Sequence, residues 1–165
     1  MTLQIEVFVD GCAVDQVEGA ATKQYQRWLQ TWLSELDPSL SPINAYEVNL
    51  RLTNDNEIQQ LNTDYRQKDR PTDVLSFAAL ESDFPGLEAV YATEPLPLGD
   101  IIISVETAQR QACQNDHSLC REVAWLSAHG LLHLLGWDHP DEVSLQRMLQ
   151  KQNDLLTLVD MPHTY

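Results

Sequence analysis

Three of the five histidines in this 165-residue chain fall in one short run, His129-Gly-Leu-Leu-His133-Leu-Leu-Gly-Trp-Asp-His139. Residues four apart lie one turn apart on one face of a helix, so His129 and His133 can aim at a single ion. Gly136 follows the last apolar residue of the pattern and can take the left-handed conformation that ends a helix and reverses the chain. That reversal would return His139 to the same ion. Three neutral imidazoles suit zinc, and a three-histidine set leaves a fourth tetrahedral position for water. Zinc lowers the pKa of its water towards about 7, so the chemistry expected is hydrolysis with one Zn2+ per chain.

The spacing is that of the metzincin proteases, in which a glutamate directly after the first histidine acts as general base. Gly130 stands there instead. The ligand cage is kept while the base for ordinary peptide hydrolysis is missing, which turns attention to other substrates. Arg66, Lys68 and Arg70 crowd three of the chain's 10 Lys and Arg residues into five positions, against 25 Asp and Glu and a net charge of −15. A guanidinium binds phosphate oxygens with two parallel hydrogen bonds and can stabilise charge that builds up on phosphorus. From the residues alone, the commoner reading of such a run is a solvated loop paired with Asp64 and Asp69.

Three segments together resemble the YbeY family, single-domain zinc-dependent endoribonucleases tied to ribosomal RNA maturation. They are the histidine run, the stretch from Tyr65-Arg66-Gln67-Lys68-Asp69-Arg70 through Pro71-Thr72-Asp73-Val74-Leu75-Ser76-Phe77, and Leu98-Gly99-Asp100-Ile101-Ile102-Ile103-Ser104. The resemblance covers nearly the whole chain. It implies a mixed sheet of about four strands packed with helices, zinc on His129, His133 and His139, and a catalytic arginine at Arg66. Trp137 in place of the family's usual tyrosine, and Ala78 in place of a common proline, are departures that touch no expected ligand.

The expectation is therefore an endoribonuclease specific for single strands that matures ribosomal RNA at the small-subunit 3′ end and serves ribosome quality control. Its partners would be single-stranded or ribosomal RNA and ribosomal proteins, with neither DNA nor membrane. Two alternatives stand beside it. One is a metallohydrolase of another substrate class. The other is a ribosome-associated binding factor whose zinc only holds the fold, which the acidic body would suit through basic protein partners.

Other polar residues near these motifs have ordinary explanations as well as functional ones. Asp138 could orient a histidine or accept a proton, or simply hydrogen-bond its own turn. Asp73 and Ser76 could touch substrate, or cap a turn and sit in a strand. His117 and His163 have no partner at ligand spacing and read as surface residues. Trp28, Trp32 and Trp125 occupy helical core positions, and Trp137 reads as packing beneath the metal loop, with stacking on a base as the alternative.

The elements that must hold these residues follow from hydrophobic period. Alternation at Leu3, Ile5, Val7 and Val9 predicts a first strand, and Tyr46, Val48, Leu50 and Leu52 a second. Between them a helix is expected over residues 19–36, stopped by Asp37-Pro38. Asn54 and Glu57 resemble a capping box that opens a short helix through Leu61. A polar loop over residues 65–73, a strand over 74–80, a long acidic excursion over 81–98 and a strand over 99–105 come next. Helices over 106–115 and 119–135 and a final amphipathic helix complete an α+β domain over residues 1–165, with a metzincin-like metal helix. With no repeat, linker or span long enough for a bilayer, and no basic leader, one cytoplasmic domain is expected. Cys12, Cys113 and Cys120 are expected to be reduced, partly buried thiols.

Overall fold

The computed structural model describes residues 2–79 and 87–161. Four strands form one mixed sheet: β1 (Gln4–Asp10), β2 (Ala45–Thr53), β3 (Val74–Ala78) and β4 (Leu96–Ser104). Their order is β1-β2-β4-β3, with β1, β2 and β4 parallel and β3 antiparallel to β4. The helices are α1 (Thr22–Leu36), α2 (Asp55–Arg66), the short α3 (Leu87–Tyr91), α4 (Val105–Gln114), α5 (Leu119–Leu134) and α6 (Glu142–Leu158). The α+β class and the mixed four-stranded sheet are as expected.

Alternation along β2 sends Tyr46, Val48, Leu50 and Leu52 into the main core, where α1 and α5 cover the sheet. On the opposite face Asn49 donates to Asp100 at 3.0 Å, and Arg51 bonds Glu57 and Asp10. There α2 adds only a small apolar patch, Ile58 on Leu75 and Ile102. One face is thus an apolar floor for helices and the other is largely polar, which is why α5 is pinned to the sheet so firmly.

The predicted tryptophans lie in the core: Trp28 stacks on Trp32 at 6.2 Å, Trp32 Nε1 donates to the Leu155 carbonyl at 2.7 Å, and Trp125 is buried. The bond from Trp32 ties α1 to α6. The first helix ends at Asp37, in the left-handed region before Pro38, as expected. Asn54 accepts from the Glu57 amide at 2.9 Å and caps α2.

Three boundaries differ. Helix α2 runs on to Arg66, so Tyr65 and Arg66 belong to its last turn and not to the loop. Of the excursion over residues 81–98, residues 81–86 lie outside the described residues; Leu87–Tyr91 is helical and β4 already begins at Leu96. Pro97 can sit in that strand because it pairs opposite Glu47 beside a register shift, and β3 does not reach past Gly99 to need its missing amide. The thiols also differ: Cys120 is buried, but Cys12 and Cys113 are exposed.

Candidate metal centre

Helix α5 is apolar almost all round, and His129 and His133 emerge from it one turn apart with their Nε2 atoms 3.0 Å from each other. The helix closes with the backbone pattern that a left-handed glycine permits. Gly136 has φ +93°, its amide donates to the His133 carbonyl at 3.0 Å, and the Trp137 amide donates to the Leu132 carbonyl at 3.0 Å. The chain then doubles back, and His139 arrives with one ligand nitrogen within 4.8 Å of those of the other two. Among the described residues this is the one cluster of three such donors that could hold an ion.

Behind His129 stands Gln152, fully buried on α6. Its Oε1 lies 3.1 Å from His129 Nδ1, while its amide nitrogen donates to the Trp125 carbonyl at 3.4 Å. The second bond orients the amide so that oxygen faces the ring. His129 then carries its proton on Nδ1 and leaves the Nε2 lone pair for a metal. Burial pushes the pKa of His129 down, against the opposing pull of Gln152 and Asp73. Burial also lowers that of His133, joined by the nearby His129 and opposed by the Trp137 backbone. Neutral imidazole is the form that ligates, so the donor set fits a borderline metal ion such as zinc.

These histidines form part of a cleft of about 1100 Å³ that Arg66, Lys68 and Arg70 also line. Arg66 donates from one guanidinium nitrogen to the Ser76 carbonyl at 2.8 Å, and its Cζ lies 5.5 Å from the centre of the Phe77 ring. One side of the fork is anchored and the side chain remains exposed. The loop behind it is held by Asn62, whose amide donates to the Arg70 carbonyl at 2.9 Å. Among the described residues Asp69 and Asp64 form no ion pair with these cations: Asp69 accepts from Gln59 at 2.9 Å and Asp64 from Gln60 at 2.9 Å. The reading as an internally paired, solvated loop therefore fails on its pairing.

A family model described as Endoribonuclease YbeY matches residues 13–160. The chain belongs to that family. A relative named Endoribonuclease YbeY from Trichormus variabilis is 52% identical, covering 95% of each chain. Its namesake from Synechocystis is also 52% identical, over 96% of this chain and 89% of the relative. One from Synechococcus elongatus is 55% identical over 84% of this chain and 79% of the relative. The solution structure of a Thermotoga maritima protein superposes with a TM-score of 0.58 at 23% identity, covering 93% of this chain and 88% of that one, and supports the fold.

The remaining candidates of this YbeY-family chain divide clearly. Asp138 accepts from the His139 amide at 2.8 Å, the turn role. Asp73 accepts from the Val74 amide at 2.7 Å and from Gln111 at 3.1 Å, which makes it a tie between β3 and α4. Ser76 lines the cleft and donates to the Gly130 carbonyl at 3.1 Å. A Cβ on Gly130 would come within 2.6 Å of Ile101 Cγ2 and 3.1 Å of Ser76 Oγ. The position that carries the protease base is thus pressed against the sheet with no room for a carboxylate.

His117 corrects its expectation: its side chain is 7% exposed and bonds the buried Glu122 at 2.5 Å, joining the α4–α5 turn to the core. His163 lies outside the described residues. Trp137 packs partly on the core, yet it also lines the cleft. The sequence alone does not reveal Gln152, because its partner lies 23 residues away on another helix and glutamine at a helical core position has no distinctive spacing.

Proposed function

We propose that this chain is a zinc-dependent endoribonuclease that cuts single-stranded RNA, acting on ribosomal RNA at the small-subunit 3′ end and in ribosome quality control. Residues 1–165 would form one catalytic domain. His129, His133 and His139 would hold the zinc, oriented by Gln152 and by the turn at Gly136. When bound, zinc would supply Lewis acidity, making water more acidic and drawing charge from a phosphoryl oxygen. Arg66 would grip a phosphate through the donors that Ser76 leaves open and would stabilise the added charge on phosphorus. Lys68 and Arg70 would raise the local concentration of a polyanion that the acidic body otherwise repels.

The observation that carries this reading is that the three imidazoles and the three cations line one cleft. An open strand can reach that cleft past its walls more readily than a paired helix can. The filled space at Gly130 weighs against a peptidase. No helix among the described residues is long and apolar enough to cross a membrane, which accords with a cytoplasmic enzyme. Basic ribosomal proteins are the partners that suit a net charge of −15.

The test is cleavage of a labelled single-stranded RNA by wild type, His133→Ala and Arg66→Glu, purified alike, in limiting zinc and in chelator. Cleavage by wild type alone, abolished by chelator, is expected. Equal cleavage by all three preparations, or none by any, overturns the nuclease reading and leaves the zinc-held binding factor.

A further inference from the structure

Trp137 lines two hollows. On one side is the histidine cleft; on the other is a groove of about 660 Å³ along α6 that includes Val143, Arg147 and Lys151. We propose that this groove is a second subsite for the RNA strand, with a nucleobase stacked on the Trp137 indole and the flanking phosphates on Arg147 and Lys151. The inference rests on the endoribonuclease reading and extends the bound strand from the histidines, over Trp137, along α6.

Charge placement is the first support. Five of the chain's 10 Lys and Arg residues line the two joined hollows: Arg66, Lys68 and Arg70 in one, Arg147 and Lys151 in the other. By contrast Arg51 and Arg110 are each held by carboxylates. Arg147 and Lys151 are four apart on one face of α6 and form no ion pair among the described residues. The groove also holds two carboxylates, which bond its own glutamines and not its cations: Glu142 accepts from Gln146 at 3.0 Å and Asp154 from Gln150 at 2.9 Å. The groove is locally neutral within a chain of net charge −15, which makes it a permissive path for an anionic strand.

Shape and chemistry agree. Val143 is 62% exposed, an apolar surface that water covers poorly, and Trp137 stands beside it at the junction. An aromatic face flanked by cations is how sequence-tolerant single-strand sites are made. The closing turn of α5 fixes the Trp137 backbone through its bond to Leu132, so the ring is presented from a rigid base.

The test uses the full-length, metal-loaded chain, its Arg147→Glu/Lys151→Glu double variant and Trp137→Phe. Anisotropy of a labelled long single-stranded RNA across a salt series reads the phosphate contacts. The double variant is expected to bind at least fivefold more weakly, and its log–log salt slope should fall by about 1.4, at roughly 0.7 for each phosphate no longer neutralised. Its preference in kcat/KM for the long strand over a trinucleotide should fall in parallel. RNA should quench wild-type tryptophan emission and fail to quench that of Trp137→Phe, since the other three tryptophans are buried. Wild-type affinity and slope in a folded double variant, or quenching that survives in Trp137→Phe, overturns the subsite. So does an equal loss on long and short RNA. Failure of wild type to cut any RNA would instead strike the endoribonuclease reading, and the binding measurements stand apart from it.

Discussion

His129 and His133 project from a helix whose residues are almost all buried, whereas Arg66, Lys68 and Arg70 stand exposed on a helix end and loop elsewhere in the same cleft. The histidine floor is held by a buried glutamine, a capped helix terminus and the sheet below. The cationic wall is held mainly through its backbone, by Asn62 and by the single bond from Arg66 to Ser76. The floor therefore gains precision from the buried helix that carries it, although His129 and His133 are half-buried and His139 is exposed, and the wall trades precision for reach. An exposed charge is screened by salt, so the wall should respond to ionic strength more than the floor does.

The sharpest way to break this contrast is to remove one member of each region. His133→Ala takes away a ligand on the rigid floor, and RNA cleavage should fall to background while far-ultraviolet circular dichroism stays native. Arg66→Ala should lower kcat by about 100- to 1000-fold, the range for losing one donor to a developing oxyanion. Arg66→Lys should recover little, because a point charge cannot replace a two-pronged grip. Zinc content, measured by atomic absorption, should be lost in the first variant and kept in the other two. Equal zinc loss in all three would show that floor and wall are one unit.

The same contrast decides what can be read from sequence. The floor's three ligands are legible because what brings them together is local, two histidines one turn apart and then a glycine able to reverse the chain, whereas Gln152 behind them lies on another helix and is not. The wall is legible as a concentration of charge, but its scaffold is not. Thr63, Asp64 and Arg66 have the polarity of a loop and suggest that α2 stops near Leu61, yet Gln67 in the left-handed region ends it only after Arg66. His117 reads as a surface residue in the sequence because its partner, Glu122, sits across a turn and not at helical spacing. The start of β4 is hidden by Pro95 and Pro97, since strand positions that need no amide cannot be seen without the neighbouring strands.

Gln152→Leu sharpens the contrast at the next level, because it leaves all three ligands in place. Losing the bond to His129 should weaken zinc binding by about 10- to 100-fold in a chelator competition, with RNA affinity measured in high salt little altered. Unchanged zinc affinity would mean that the ring is held by packing alone. Gly130→Ala tests the floor's contact with the sheet. The added methyl must displace Ile101, at a cost of about 1–3 kcal/mol, read as a fall of several degrees in Tm.

The smallest expected effect lies at the far end of the wall's own helix. Asp55 opens α2 and accepts from Ser104 at 2.6 Å, Thr107 at 2.6 Å and Arg110 at 2.8 Å, tying the helix to β4 and α4. Burial would raise its pKa, but these three hydrogen bonds outweigh burial and hold the carboxyl below its ordinary value. The unfolded chain has the ordinary value of about 3.9. The stabilisation is therefore complete above about pH 3.9 and is lost as pH falls through the lower folded value. Asp55→Asn should cost about 1 kcal/mol at neutral pH, since the carboxylate is partly exposed. The cost should fade on acidification, so that wild-type and variant urea midpoints converge as the pH falls through the lowered folded value. If zinc affinity near neutral pH also falls in this variant, the anchor of the wall reaches the floor, and the two regions are coupled through β4 and α5. If it does not, Asp55 serves only to hold α2, and through it Arg66, in place.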